Sequence, residues 1–520
     1  MPNLNELPGD FAERLGHHYA ASASAKHKKE AGQFFTPLAI SRLMASLLAV
    51  PVKTDIRILD PGCGVAILAC CAIERMCTAI DGPRHITVAA FDTDPQILPF
   101  TLQALDYAKQ WAEGQGVEVH YTLDSADFVL NYAHLLNGQP SWFQQAAMAL
   151  PFDIIITNPP YFKLNKEDSR VKAAASIVDG QPNIYALFLS VAAELTAPGG
   201  QLVSITPRSF AAGRYFRAFR HHFFRLLNLR GVHLFTSRRE AFERDSVLQE
   251  TVIMYAARET PAATIAISES AGIRDLAQRR TDVRPMTDVL NRGTREWMLY
   301  LPSGEEEKDI IQVFRQWPDT LATHGFRIST GPVVAFRTRA HLQESATGPE
   351  SEQAPLFWMH NVLPMKLAWP EPKPTKEQYL RVGPETRAML RPNKTYVLLR
   401  RFSAKDDKSR LVAAPYLAPG PYETPFVGFE NKLNYLYRAD GAMTAAEATG
   451  LAALLNSQLF DTYFRTFNGN TNVSATELRE MPLPSLRTIQ LLGERLLADD
   501  SSDANQLLSE ILAPAAVPYE

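Results

Sequence analysis

Two features of the sequence predict an α/β chain, a doubly wound sheet domain followed by a loop-rich α+β domain. Between about residues 56 and 258, short β-branched runs alternate with helical stretches. Beyond about residue 260 the alternation fades, and prolines and aromatics crowd together in WPEPKP, AAPYLAPGPYETPF and MPLPSL. Bulk properties agree. A chain of 520 residues is long enough for two or more domains, and an apolar fraction of 46% supports a large core.

Taken in order, residues 20–50 read as a helix, a tight GQFFTP turn and a second helix. Strands follow at IRILD, HITVAAFD, VEVHYTL, FDIIITN, GQLVSITP, LRGVHLF and ETVIMYAA. Helical stretches at 65–79, 95–113, 183–196 and 209–222 lie between most of them. The polar segment ESATGPESEQAP (344–355) reads as an exposed loop. The expected organisation is an N-terminal helical segment (1–55), a central sheet domain (56–270) and a C-terminal domain (271–520).

The formal net charge is -3, so any binding of nucleic acid must come from local patches. The four cysteines (Cys63, Cys70, Cys71, Cys77) fall in one short segment without histidines at ligand spacing. That pattern suits neither a disulfide framework nor a metal site, and reduced cytoplasmic thiols are expected. Apolar runs such as VAILACCAI are too short to cross a bilayer, and no signal peptide is visible. A cytoplasmic globular chain with no membrane partner follows as the expectation.

The strand IRILD runs into Asp60-Pro61-Gly62-Cys63-Gly64 and then a helical stretch. Glycines at a strand-to-helix turn let backbone come close to a ligand. The next strand ends in FDTDP, where Asp92 can accept from ribose hydroxyls; the third is followed by Asp127-Phe128, an acceptor and a ring suited to an adenine. The loop is neither GxGxxG nor a phosphate loop with Lys-Ser/Thr. S-adenosylmethionine, with a ribose and an adenine but no phosphate, fits it better than a dinucleotide or a nucleoside triphosphate.

FDIIITNPPYF (152–162) stops an all-apolar strand with Asn158, Pro159, Pro160 and Tyr161. Proline lacks a ladder donor and fixes φ, so the sheet ends there. In a doubly wound sheet this strand end opens on the crevice that holds the cofactor. An amino group conjugated with an aromatic ring is a poor nucleophile. Acceptors at Asn158 Oδ1 and the Pro159 carbonyl would localise its lone pair and offset developing positive charge, while the prolines hold them in place. Tyr161 can stack on the target ring. Direct methyl transfer from a sulfonium needs no thiolate and no metal.

The series GQFFTP, DPGCG, FDTDP, DF and NPPY, in that order, resembles the motifs of gamma-class adenine-N6 DNA methyltransferases. PNIYALFL, GGQLVSITPRSF, AFERDSVLQETVI, ISTGPVV and GNTNVSATELREMPLP are closer still to the PstI/BsuBI type of restriction-modification methylase. The resemblance covers roughly 20 to 485. It implies a Rossmann-like S-adenosylmethionine-dependent methyltransferase domain followed by a DNA-recognition domain, acting on double-stranded DNA. By the same resemblance Thr36 and Pro37 lie beside the cofactor's methionine end, which Asp60, Gly62, Cys63 and Gly64 line. Asp92 binds ribose, Asp127 and Phe128 hold the adenine, and Asn158 to Tyr161 form the catalytic loop. A second aromatic would sandwich a flipped base, and Phe242 is the choice, with Phe235 as the alternative. The resemblance also suggests the palindrome CTGCAG as the target, and a separate restriction endonuclease acting on it.

A flipped base needs DNA held nearby. Residues 208–244 carry Arg208, Arg214, Arg217, Arg220, Arg225, Arg230, Arg238, Arg239 and Arg244, a basic face suited to phosphates or simply a solvated helix face. In the C-terminal region, Arg400 and Arg401 of YVLLRRFSAKDDKSR and Asn472 of NGNTN (468–472) mix with aromatics, as base-reading side chains do. Only about thirty residues separate Asp127 from Asn158, too few for a recognition domain, so recognition is expected C-terminally. Competing readings are an NPPY enzyme acting on RNA or on a protein glutamine, and a modification subunit needing a separate specificity subunit. WPDT (317–320) and EPK (371–373) lie too far apart to read as a fused nuclease.

Overall fold

The computed structural model describes residues 2–3, 5–24, 35–137, 151–180, 182–236, 251–345, 352–371, 376–403, 407–420, 424–468, 471–499 and 502–512. The chain forms two compact units, Met1–Tyr300 and Leu301–Glu520.

The first unit is organised by a nine-stranded sheet. Its strands are β1 (Asp55–Pro61), β2 (His85–Phe91), β3 (Glu118–Asp124), β4 (Phe152–Thr157), β5 (Thr196–Pro207), β6 (Asn228–Phe235), β7 (Thr251–Ala257), β8 (Thr264–Ser270) and β9 (Arg280–Pro285). Their spatial order is β3-β2-β1-β4-β5-β7-β6-β8-β9. From β3 to β5 all pairs are parallel, whereas β7 runs antiparallel to both neighbours. Seven strands coincide with the apolar runs read from the sequence. Every residue of β4 is buried, as an isoleucine run covered on both faces requires.

Several expectations need correction. The regular pattern does not stop near residue 260: β8 and β9 extend the sheet, but their exposed faces carry polar and charged residues that hide them from an apolar scan. The helix expected at 209–222 is instead two single turns, Arg208–Ala211 and Arg214–Phe216, then a helix at Arg217–Leu226. Gly213, at φ 82°, interrupts it. The helices before the sheet are Pro8–Ser22 and Leu38–Ser46; Gly32 to Phe34 of the GQFFTP turn lie outside the described residues. The helix Ile67–Cys77 is buried along nearly its whole length, and burial raises the thiols of Cys70 and Cys71 beyond titration near neutrality.

β1 and β4 lie side by side, with the chain leaving β1 toward β2 and leaving β4 toward β5. That is the point where a doubly wound sheet opens a crevice at the carboxyl ends of its strands. Thr157 Oγ1 donates to the Pro61 carbonyl at 2.7 Å, tying the two strand ends together just before their loops diverge.

The second unit holds a four-stranded antiparallel sheet, ordered Phe326–Thr330, Leu433–Arg438, Tyr396–Arg400, Ala413–Tyr416, and a mixed five-stranded sheet. The aromatics that crowd this region build its core: Phe357, Trp369, Tyr379, Tyr396, Tyr416, Phe429 and Tyr435 pack together. Of the rings expected beside base-reading side chains in YVLLRRF, Tyr396 is therefore interior. Phe402 is the exception, at 39% exposure. Residues 353–355 of the expected loop form the start of a buried strand, Gln353–Phe357. Helices Ala445–Asn456 and Leu486–Ala498 cross closely through Gly450 and Gly493, where a Cβ would lie 1.9 and 1.8 Å from opposing carbonyl oxygens. Among the described residues no helix is long and apolar enough to cross a membrane.

Candidate active site

The glycine loop after β1 folds back on the end of β2. Gly62 and Cys63 donate their N–H groups to the Phe91 carbonyl at 2.8 and 2.9 Å, and Gly64 donates to Asp92 Oδ2 at 2.9 Å. Gly62 (φ 73°) and Gly64 (φ 55°) take the left-handed backbone that favours glycine, and so does Ala66 (φ 60°). The loop walls an open pocket with a cavity volume of about 140 Å³. Thr36, Gly62, Cys63, Gly64, Asp92, Phe128, Asn158, Pro159 and Pro160 all line it, so residues from five separate motifs meet in one cavity.

Not every expected residue reaches the wall. Asp60 is fully buried beneath the loop, where Oδ2 accepts from the Ala69 N–H at 3.1 Å and Oδ1 has no hydrogen-bond partner. Burial, with the nearby Asp92 carboxylate adding to it, pushes its carboxyl up to about 8. Asp127 caps the short helix Phe128–Tyr132, accepting from the Leu130 N–H at 2.9 Å, and its other oxygen meets Arg170 at 3.5 Å. Its neighbours Ala126 and Phe128 line the pocket instead. Pro37 starts the helix Leu38–Ser46. Cys63 is buried, and desolvation raises its thiol, so it lines the pocket as a small apolar group.

Other lining residues went unmarked in the sequence. Phe35, Phe91, Asp94 and Phe188 are the most informative. Phe128 packs against Phe91 at 5.5 Å and Phe188 at 5.3 Å, an aromatic wall beside the loop. Asp94 Oδ2 accepts from the Tyr19 hydroxyl at 2.6 Å, fastening the first helix to the end of β2. The only signal for Phe188 was its place in PNIYALFL, since the helix Ile184–Leu195 is apolar on all sides.

Asn158 has its amide engaged on both sides. Nδ2 donates to Thr36 Oγ1 at 3.0 Å, and Oδ1 lies against the Tyr161 hydroxyl. That hydroxyl also reaches the Ile205 carbonyl, at 2.7 Å. The Tyr161 ring is only 9% exposed and meets Tyr185 edge to face at 6.2 Å. The ring face expected to stack on a target is covered in this state because the hydroxyl finds buried acceptors. Phe242 lies outside the described residues. Phe235, its alternative, is 4% exposed and packs on His233 in the core, so its ring is not offered to the pocket.

The basic stretch divides. Arg214 is exposed, and Arg208 and Arg217 are half-buried, with Arg217 paired to Asp179 at 3.0 Å. Arg220 is fully buried: it donates to the carbonyls of Phe210, Gly213 and Glu296 and pairs with the Glu296 carboxylate at 3.5 Å, so it holds the fold and cannot meet phosphate. Arg238, Arg239 and Arg244 lie outside the described residues. In the second unit Arg400 donates to the Val362 carbonyl, and Arg401 donates to the Asn431 carbonyl while lying 5.5 Å from the Phe402 ring centroid. Asn472 Oδ1 has no hydrogen-bond partner. Asn468, at the start of NGNTN, is buried and structural, joining Arg410, Glu477 and the Asn472 carbonyl.

A pocket at the switch point, with two left-handed glycines leaving its wall open to close approach, an acidic residue at the end of β2 and an aromatic wall, fits a nucleoside cofactor without phosphates. Fold and site together define an S-adenosylmethionine-dependent methyltransferase. Comparison with known proteins agrees. The family described as Eco57I restriction-modification methylase matches residues 103–242. Over 469 residues the chain is 32% identical to Type II methyltransferase M.BsuBI of Bacillus subtilis, covering 90% of each chain. Over 473 residues it is 30% identical to M.PstI of Providencia stuartii, again covering 90% of each. Among solved structures, the Type IIL restriction-modification enzyme MmeI shares the fold, with a TM-score of 0.50 and 12% identity over 96% of this chain and 73% of that one. The chain belongs to the family of Type II restriction-modification methyltransferases that includes M.BsuBI and M.PstI, and it is a DNA methyltransferase.

Proposed function

We propose that this chain is a sequence-specific adenine-N6 DNA methyltransferase that flips its target adenine out of the duplex. One observation carries the reading: Asn158 and Pro159, at the end of β4, line the same pocket as the glycine loop after β1. S-adenosylmethionine supplies a methyl group on a sulfonium, an electrophile that needs only an aligned nucleophile. Gly62 and Gly64 leave room for its backbone contact, Asp92 accepts from its ribose, and Phe128 and Phe188 face its adenine.

The chain's own work is on the nucleophile. An N6 lone pair is delocalised into the purine ring. Asn158 Oδ1 and the Pro159 carbonyl accept its two N–H bonds, localise the lone pair and offset the positive charge that grows on nitrogen as the carbon bond forms. As that bond forms the sulfur–methyl bond breaks, leaving a neutral thioether, and the nitrogen then loses a proton to solvent. Pro159 and Pro160 fix φ on either side of that turn, so the acceptors need no reorganisation. Tyr161 leaves its buried position to stack on the base, with Phe242 on the other face, and this frees Asn158 Oδ1 for the amine. Arg208, Arg214 and Arg217 in the first unit, and Arg400, Arg401 and Asn472 in the second, are assigned to the DNA. CTGCAG is the proposed site and a separate restriction endonuclease the proposed partner.

Asn158→Ala tests the assignment. Removing one transition-state acceptor lowers kcat by roughly 10²- to 10³-fold while cofactor binding is kept. Single-turnover methylation measures the first and calorimetric titration the second. Unchanged turnover would refute the catalytic role.

A further inference from the structure

We propose that Thr36 is a positioning residue for the reaction, acting through Asn158 by holding its amide in the reactive orientation. This rests on the adenine-N6 reading above.

The need for such an anchor follows from the side chain itself. The terminal torsion of asparagine is broad and roughly two-fold, so an amide on a rigid backbone still swings, or flips its oxygen for its nitrogen. Pro159 and Pro160 stiffen the main chain but leave that torsion free. What sets it here is a hydrogen bond at each end: Nδ2 to Thr36 Oγ1 at 3.0 Å, and Oδ1 against the Tyr161 hydroxyl.

The two ends are not equivalent. The Tyr161 hydroxyl carries one proton and also faces the Ile205 carbonyl at 2.7 Å, which accepts that proton in place of Asn158. Oδ1 is therefore the end that can be released to an incoming amine. The Thr36 end is built to stay. Thr36 is 4% exposed and precedes Pro37, the N-cap of the helix Leu38–Ser46. The first N–H of that helix, on Leu38, donates to Glu13 Oε1 at 3.1 Å, and Ile40 and Met44 of the helix are fully buried. The turn bearing Thr36 is thus pinned to the first helix of the chain and to the core. With Nδ2 held by Thr36, Oδ1 remains the atom presented when the tyrosine withdraws.

The test compares wild type, Thr36→Val and Thr36→Ser, reading kcat, KM and, separately, calorimetric binding of S-adenosylmethionine to the free chain. Valine keeps the branched shape and buried volume but removes the acceptor; serine keeps the hydroxyl. The expected result is a fall in kcat, measured at saturating S-adenosylmethionine, of between about 10- and 100-fold for valine, a fall larger than any accompanying loss of cofactor affinity, and recovery of most of the turnover with serine. Equal turnover for valine and wild type overturns the proposal. So does a valine variant that binds cofactor weakly with kcat preserved, which makes Thr36 a cofactor contact only. An equal loss in serine and valine overturns it too, since the methyl group would then be what matters. A wild-type chain that methylates no DNA refutes the adenine-N6 reading itself, which the three-way comparison on an active wild type leaves standing.

Discussion

Replacing Asp92 by alanine tests how the pocket holds its cofactor. Oδ2 of Asp92 accepts from the Gly64 N–H at 2.9 Å and Oδ1 from the Asp94 N–H at 3.0 Å. Each carboxylate oxygen can accept more than one hydrogen bond, so both amides can be held while a ribose hydroxyl is bound. Burial raises the Asp92 carboxyl above its usual range, while the two amides pull it back down. Loss of a hydrogen bond to a charged acceptor costs about 1.5–3 kcal/mol, so Kd for S-adenosylmethionine should rise by roughly 10- to 150-fold. The freed Gly64 and Asp94 amides cost a further ~1 kcal/mol each in folding stability, which thermal unfolding would register as a modest drop. Titration calorimetry reads the cofactor, and fluorescence anisotropy reads an oligonucleotide duplex, whose affinity should not change. A cofactor Kd equal to that of wild type would refute the ribose role.

Three further outcomes follow from the same structure. Asp60 has its folded pKa raised to about 8 from an ordinary value of 3.8; its stabilising contribution is complete below the unfolded pKa and is lost as pH rises toward 8. Asp60→Asn should therefore flatten the decline in thermal stability across that window, and an unchanged pH profile would contradict the burial argument. Arg214→Ala should weaken DNA binding about equally for all sequences and lower the salt slope by about 1, whereas a sequence-dependent effect would show a base contact instead. Arg220→Met leaves the buried Glu296 with only the longer ion pair to Arg217 at 3.9 Å and strips the Phe210 and Gly213 carbonyls of a donor, and should cost about 3 kcal/mol of stability; a denaturant midpoint close to wild type would show that the pair is dispensable.

What the sequence reveals, and what it hides, divides along a physical line. Strands whose faces are both buried are legible as β-branched runs, so β1, β2 and β4 to β7 could be placed by composition alone, and with them the loops at their ends. Glycines forced to positive φ at Gly62 and Gly64, and prolines that end β4, are also local signals. Side-chain destinations are not. Asp127 reads as a free acceptor, yet it starts a helix and its carboxylate goes to that helix's N–H. Arg220 reads as one of many cations on a basic face, but the turn at Gly213 and the position of Glu296, 76 residues away, bury it. Tyr396 reads as an aromatic among base-reading arginines, although its sheet turns it inward. Phe188 and the Thr36–Asn158 bond, 122 residues apart in the chain, depend on tertiary contact and leave no local trace.

The most direct test of the account is to incubate the purified chain with methyl-labelled S-adenosylmethionine and DNA that lacks adenine methylation, digest the product to nucleosides, and sequence the modified positions. N6-methyladenine confined to one short motif is the predicted result. Label recovered as a methylcytosine, or found in RNA or protein while the DNA stays unlabelled, would contradict it.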